Sequence, residues 1–464
     1  VTSALERALD ALSARGPGRM VPDLARITAL TGLLGDPQHA YRVVHVTGTN
    51  GKGSITRMAS ALLGGVGLRV GTYLSPHLQD LRERIQVDLE PIGPDAFARV
   101  HAEVERLAVL LDARAAEDGR AADRVTFFEV MTAMAFAHLA DEAVDVAVLE
   151  VGLGGRWDAT NVARADVAVL GPVDLDHTEL LGATAEEIAA EKLGIVKAGS
   201  HLVSAAQPAG VTRMVEAAAA AAGGGLTVVG RDVRVLGRGP VPGGQIVDLE
   251  VHGRRLEGLL LPLHGAHQAE NLAAAFGAVA ALLGPSLDRV DDAVLGEAVA
   301  RVRVPGRLEV VGSGPAVVLD GAHNPHAAAA LATAVAELGY RDVVVVLACL
   351  EDKDVEGICA ALGPVASHVV VAPAPSDRSA AAARTAAAAR DAVAGRGVVV
   401  EVAPDVPTAL GMATGVAGPR DAVLVTGSLT TVGAARAQLL PPEGGPIPAT
   451  AVRTVRVGDE DPLG

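Results

Sequence analysis

Apolar residues along this chain fall into two alternating rhythms. Val43, Val44 and Val46 form a short β-branched run that leads into Gly48-Thr49-Asn50-Gly51-Lys52-Gly53-Ser54, after which Ile55, Met58, Ala59, Leu62 and Leu63 recur at helical spacing. The pattern predicts strand, glycine loop, helix. Upstream, residues 1–40 read as a helix, a turn at Gly16-Pro17-Gly18, and the segment PDLARITALTGLLGDP. Its Leu24, Ile27, Leu30, Leu33 and Leu34 predict an amphipathic helix closed by Gly35 and Pro37. A second strand over 70–74 opens on Ser75-Pro76-His77-Leu78, and helices are expected over 94–114 and 126–140. Residues 144–151 are almost continuously apolar, as a strand covered on both faces should be, and ADVAVLGPV supplies another such run.

Residues 200–260 alternate short β runs (HLVSAA, LTVVG, QIVDLEV) with Gly and Pro turns, and a strand, a turn and a long helix follow through 283 (LLLPLHGAHQAENLAAAFGAVAALL). The pattern then restarts: AVVLDGAHN, DVVVVLACL, SHVVVAPAP, GVVVEVAP and DAVLVTGS, each separated from the next by a helical stretch. Strands alternating with helices imply parallel sheets, so the fold class expected is α/β. An amino-terminal phosphate-loop domain with a parallel sheet is expected over 1–301, a linker at 302–307 (VRVPGR), and a smaller Rossmann-like domain over 308–440. The Pro- and Gly-rich stretch 441–464 is expected to be a disordered tail.

Composition narrows the function. The chain has 464 residues, too many for one typical domain, and a formal net charge of −16 that argues against a general nucleic-acid binder. An anionic ligand must therefore be captured by local groups, since the global field repels it. Cys349 and Cys359 stand beside no histidine pair and read as buried thiols, without zinc or disulfide chemistry. The first residues carry Glu6, Arg7 and Asp10 and lack the apolar core of a signal peptide, and no uncharged run long enough to span a bilayer stands out. A cytoplasmic protein is the expectation.

The chemistry concentrates at the glycine loop. Residues without Cβ let successive N–H groups turn toward one point, and the helix start adds partial positive charge, so the loop can hold phosphate oxygens. Lys52 would neutralise the outer phosphates and the Ser54 hydroxyl could reach a magnesium ion. The loop departs from the GxxxxGK[ST] pattern, because position 46 is Val and Gly53 separates lysine from hydroxyl. Glu150 closes the buried 144–151 run, and in an open parallel sheet the ligand crevice lies at such carboxyl ends, which places it near Ser54. A carboxylate in so dry a place needs a partner, and magnesium is the natural one. His177, after the next strand, and Lys192, on a helix, would by themselves read as a capping group and a solvated charge.

In combination the motifs say more. TGTNGKGS, SPHL with ERI at 83–85, EVGLGGRWDATN, LDHTELLG, EKLGI, HGAHQAEN, PGR, DGAHNP and TGS occur in order between about residues 20 and 437. The chain thereby resembles the folylpolyglutamate synthase and dihydrofolate synthase branch of the Mur ligases, ATP-dependent enzymes that join an amino acid to a carboxylate. The resemblance implies that Thr49, Asn50, Gly51, Lys52, Gly53 and Ser54 hold ATP, with Asn271, Arg307, Asp320 and His323 contributing to the nucleotide site. It implies two magnesium sites served by Ser54, Ser75, Glu150, His177 and Lys192, the lysine as a carbamate, and a catalytic set of Lys52, Glu150, His177 and Lys192. Carbamylation turns a cation that repels metal into an oxygen ligand. The PDLARITALTGLLGDP segment resembles the part that holds a pterin in bifunctional members, which implies substrate contacts from Asp23, Arg26 and Ile27, with Pro76, His77, Arg84 and Phe127.

The implied reaction has two steps. A substrate carboxylate attacks the γ-phosphorus of ATP, giving an acyl phosphate and ADP, and the amine of L-glutamate then displaces phosphate to form an amide. The implied partners are small molecules (ATP, L-glutamate, dihydropteroate or a folate), with no nucleic acid, no membrane and a monomeric chain. Two positions depart from the family pattern: Leu193 stands where alanine is usual, and Thr430 where an aromatic is common. They leave open a related amide ligase acting on a non-folate acid, and a phosphate-loop regulatory ATPase is a third reading.

Overall fold

In a computed structural model, residues 3–16, 22–120 and 123–440 are described. Pro17 and Gly18 of the expected turn and the expected tail 441–464 lie outside them. The chain divides into two units. Among the described residues, one comprises those of Val1–His77, Leu81–Pro262 and Ala266–Arg303; the other comprises Leu78–Asp80, Leu263–Gly265 and those from Val304 to Leu440.

The first unit is built on an eight-stranded sheet: β1 (Arg42–Thr47), β2 (Val70–Tyr73), β3 (Ile85–Val87), β4 (Glu90–Pro91), β5 (Val146–Glu150), β6 (Val167–Leu170), β7 (His201–Ser204) and β8 (Leu226–Val228). Their order is β4-β3-β2-β5-β1-β6-β7-β8, with β3 antiparallel to both its neighbours and every other pair parallel. β1 is thus flanked by β5 and β6, which puts three strand ends side by side. Helices α1 (Ala4–Arg15), α2 (Ala25–Leu33), α3 (Lys52–Gly65), α4 (Pro94–Glu117), α5 (Phe127–Asp141), α6 (Thr178–Leu181), α7 (Ala185–Lys192), α8 (Ala209–Ala222), α9 (Ala266–Leu283) and α10 (Asp292–Ala300) complete the unit. Side chains of α1, α2, α4 and α5 bury Val43, Tyr73, Ala147 and Leu149 in one cluster. Local chemistry starts several helices: Ser3, Thr126 and Thr184 each form a capping box with a glutamate three residues on, which satisfies two orphan N–H groups at once.

Two features of this unit differ from the sequence reading. Residues 233–261 form a three-stranded antiparallel sheet of β9 (Val233–Val241), β10 (Gly244–Val251) and β11 (Arg254–Leu261), where the pattern predicts strands only at QIVDLEV and at the LLLPL run that overlaps the end of β11. Gly237, Gly239 and Pro240 interrupt the apolar alternation of β9, and a register shift opposite Asp248 absorbs the irregularity. Helix α9, with the 3₁₀ turn that extends it, is long and apolar enough to span a membrane by length and composition alone. It packs on α3, β6 and β7 and is largely buried, as a core helix is.

The second unit has a six-stranded sheet ordered β12-β13-β17-β14-β15-β16, from β12 (Glu309–Val311), β13 (Ala316–Leu319), β14 (Val343–Leu347), β15 (His368–Val371), β16 (Val399–Val402) and β17 (Ala422–Thr426). All five strands read from sequence are parallel; β12 is an added antiparallel edge. Helices α11 (Pro325–Glu337), α12 (Val355–Leu362), α13 (Ala382–Ala392), α14 (Val406–Val416) and α15 (Leu429–Leu439) alternate with them. Cys349 and Cys359 are buried free thiols in this core, and burial pushes both up to about 12.

Candidate active site

The glycine loop joins β1 to α3, with Gly51 as the residue before the helix, at φ +80°. Only glycine adopts that conformation without strain, and a Cβ there would meet the Asn271 Oδ1 at 2.5 Å. Asn271 lies buried on α9, steadied by Gln268, whose Oε1 accepts from its Nδ2 at 3.0 Å. Gly51→Ala is therefore expected to raise the KM for ATP about tenfold, through strain and a displaced Asn271, as initial rates at varied ATP would show.

Glu150 ends β5 in register with Val46 of β1, so the sheet itself carries it to the glycine loop. Its side chain is buried, its Oε2 accepts the Ser75 N–H at 3.1 Å, and a Cβ on Gly53 would lie 3.5 Å from the same oxygen. The Ser75 hydroxyl is buried with no hydrogen-bond partner, and Ser54, also buried, stands in the first turn of α3. Hydroxyls and a carboxylate are hard oxygen donors. An orphaned buried hydroxyl beside a carboxylate fits magnesium, which binds through one or two carboxylates and completes its shell with phosphates and water. Among the described residues, no group of three or more His, Cys, Asp and Glu gathers into a denser site.

On the other side of β1, Thr49 pins the 174–177 segment. Its hydroxyl donates to the Asp174 carbonyl at 2.9 Å and accepts the Asp174 N–H at 3.1 Å. His177 follows at φ +51°, half-exposed, with Nε2 3.9 Å from Asp176 Oδ1. Lys192, the last residue of α7, is buried and its Nζ donates to the Gly48 carbonyl at 2.9 Å. Lys52 Nζ donates to that same carbonyl at 3.1 Å and to the Thr49 carbonyl at 3.3 Å. Two ammonium groups on one oxygen repel each other, and burial together with Lys52 lowers Lys192 to about 7. Gly155 allows the close approach: its Cβ would stand 2.7 Å from the Lys192 carbonyl.

Behind this lies a support that motif reading had not resolved. Asp158 is buried and accepts from the N–H groups of Leu153 and Thr160 and from the Thr160 hydroxyl, which also meets His45 Nε2 at 2.8 Å. Burial raises the Asp158 carboxyl. These bonds hold the loop after β5 in the shape that faces Lys192.

A second cluster brings together residues from α2, the 75–84 segment and α5. Arg84 is buried, donates through Nε to His77 Nδ1 at 3.0 Å, and lies over the Phe127 ring at 5.3 Å from its centroid. Burial lowers Arg84, partly offset by Tyr73 and Glu150. Arg26 donates through Nε to both oxygens of Glu129 at 3.0 and 3.1 Å. Asp23 is exposed and accepts the Ala25 N–H, and Pro76 is exposed; Ile27 has no exposed surface and packs with Leu12, Leu30 and Phe97. In the second unit, Asp320 binds the N–H groups of Leu308 and Ala322 at 2.8 Å each, His323 Nδ1 meets the Gly321 carbonyl at 2.8 Å, and Arg307 lies against Gly321.

A glycine loop between a parallel strand and a helix, buried oxygen donors at the strand ends and a second α/β unit make up the architecture of an ATP-dependent ligase of the Mur type. Residues 306–429 match the Mur ligase glutamate ligase domain. The dihydrofolate synthase/folylpolyglutamate synthase of Mycobacterium tuberculosis is 41% identical over 438 residues, covering 90% of each chain. The structure of Mycobacterium tuberculosis folylpolyglutamate synthase complexed with ADP superposes with a TM-score of 0.89 at 39% identity, covering 96% of this chain and 99% of that one. Escherichia coli FolC in complex with DHPP and ADP gives 0.80 at 30% identity, covering 94% and 99%. The chain belongs to the dihydrofolate synthase/folylpolyglutamate synthase family.

Proposed function

We propose that this protein uses ATP to join L-glutamate to dihydropteroate and to reduced folates through an acyl phosphate. The observation that carries the reading is the meeting of Lys52, Lys192, Glu150 and Ser75 around one glycine loop, with Ser54 buried in the helix turn that follows, in a chain of this family. The acid's carboxylate oxygen bonds to the γ-phosphorus as the bond to the β-phosphate oxygen breaks. The loop N–H groups and Lys52 hold the phosphates in line and offset their charge. Ser54, Ser75 and Glu150 would hold a magnesium ion, and His177 with a carbamylated Lys192 a further one; bound there, the ions would offset the charge of the phosphates. The glutamate amine then bonds to the acyl carbon, phosphate leaves, and the amine's proton is lost. Arg26, His77, Arg84 and Phe127 line the acid's side of the site, where a cation over an aromatic ring suits a flat conjugated ligand.

The test is ADP release by purified protein with ATP, magnesium and L-glutamate. Turnover is expected only on adding dihydropteroate or a reduced folate. Silence with both overturns the reading, and turnover with some other acid would put the chain on a different substrate.

A further inference from the structure

We propose that Glu129 is a positioning residue for the acid substrate, acting through Arg26. The inference rests on the reading that α2 and the 75–84 segment carry that substrate. Thr126-Phe127-Phe128-Glu129 is a T-x-x-E capping box: the Thr126 hydroxyl accepts the Glu129 N–H at 3.2 Å, and Glu129 Oε2 accepts the Thr126 N–H at 2.8 Å. The same carboxylate takes the Arg26 Nε on both oxygens, with side-chain exposures of 8% for Glu129 and 15% for Arg26. One acidic group therefore ties the first turn of α5 to α2, across 103 residues of chain.

What that tie holds is specific. Fixing Nε sets the plane of the Arg26 guanidinium, and two residues before Glu129 the Phe127 ring carries Arg84. The first turn of α5 thus positions two cations that belong to different segments, Arg84 buried and Arg26 partly exposed. An ion pair so largely removed from water is poor support for stability, because losing two hydration shells offsets most of the attraction. Its value lies in direction: a charge-assisted pair with a planar donor fixes where the cation points.

A double-mutant cycle tests this, using kcat, the KM values for dihydropteroate, ATP and L-glutamate, and the melting temperature. Glu129→Gln keeps the cap but loses the charge, and is expected to raise the KM for dihydropteroate about tenfold while kcat and the KM for ATP stay within about twofold. Arg26→Ala should do the same, and the double variant should be no worse than Arg26→Ala alone, because the two side chains act as one unit. Thr126→Ala spares the ion pair; it should lower the melting temperature and leave the KM for dihydropteroate in place. An unmoved KM in Glu129→Gln overturns the proposal, as do multiplying effects in the double variant or a Thr126→Ala that matches Glu129→Gln. If Glu129→Gln does not fold, Glu129→Asp, which withdraws the carboxylate by one methylene, gives the same readout. Wild-type protein inert toward dihydropteroate and folates would instead fail the substrate reading, and the inference with it.

Discussion

Lys52→Ala is expected to lower kcat by about a thousandfold, the scale found when a preorganised charge is removed from a phosphoryl-transfer site. Lys52 begins α3, so its charge adds to the helix N-terminus and to the N–H groups of the loop. Its Nζ is steered by two loop carbonyls, at 3.1 Å from Gly48 and 3.3 Å from Thr49, which sets the cation beside the cradle. No other group supplies a mobile cation from inside the loop. Lys52→Arg should recover only a small part of the activity, because a forked planar guanidinium cannot replace a compact ammonium between those carbonyls. Single-turnover rates at saturating ATP make the measurement, and a Lys52→Ala variant retaining a tenth of wild-type kcat would refute this role.

Lys192→Ala should cost about a hundredfold or more in kcat, and millimolar formate or acetate should restore part of it by supplying oxygen ligands in place of the carbamate. The physical pressure is visible in the structure, where Lys192 and Lys52 converge on the Gly48 carbonyl in a buried setting. Loss of one proton gives the neutral amine, whose nitrogen bonds to the carbon of CO₂ with release of a second proton, so a positive charge is replaced by a negative one and that repulsion is relieved. The amine must be neutral to react. With Lys192 lowered to about 7, roughly half is neutral at pH 7, against about one part in three thousand for an ordinary lysine. Protonation takes over as pH falls below about 7, so carbamate formation should decline in that direction. Carbon-13 NMR after incubation with labelled bicarbonate and magnesium should show a carbamate carbon that is missing in Lys192→Ala. Full activity in Lys192→Ala, or no such signal in the wild type, would end the proposal.

Much of this was legible because it is local. A β-branched run, a glycine loop and a helical apolar stripe occupy consecutive residues, so β1, the loop and α3 follow from spacing alone. The capping box at Thr126 and Glu129 was equally readable, since both partners lie within four residues, although its second use was not. The five parallel strands of the second unit were plain in their uninterrupted valine runs, whereas β9 hid behind its glycines and proline. Ile27 separates pattern from resemblance: its apolar helical spacing predicts a core-facing side chain, and it is buried in the core, whereas the resemblance implies a substrate contact there.

By itself, then, the chain's residue order determined the two α/β halves, the strand-glycine-turn-helix unit and the family. Strand order, and everything that depends on it, came only with the tertiary structure. Glu150 reaches the loop because β5 pairs beside β1 with Val46 opposite it, 104 residues away along the chain. Lys192 meets Gly48 across 144 residues and Arg26 meets Glu129 across 103. Such contacts are fixed by how sheets and helices stack to bury apolar surface, a property of the whole packed unit that no local window of sequence contains.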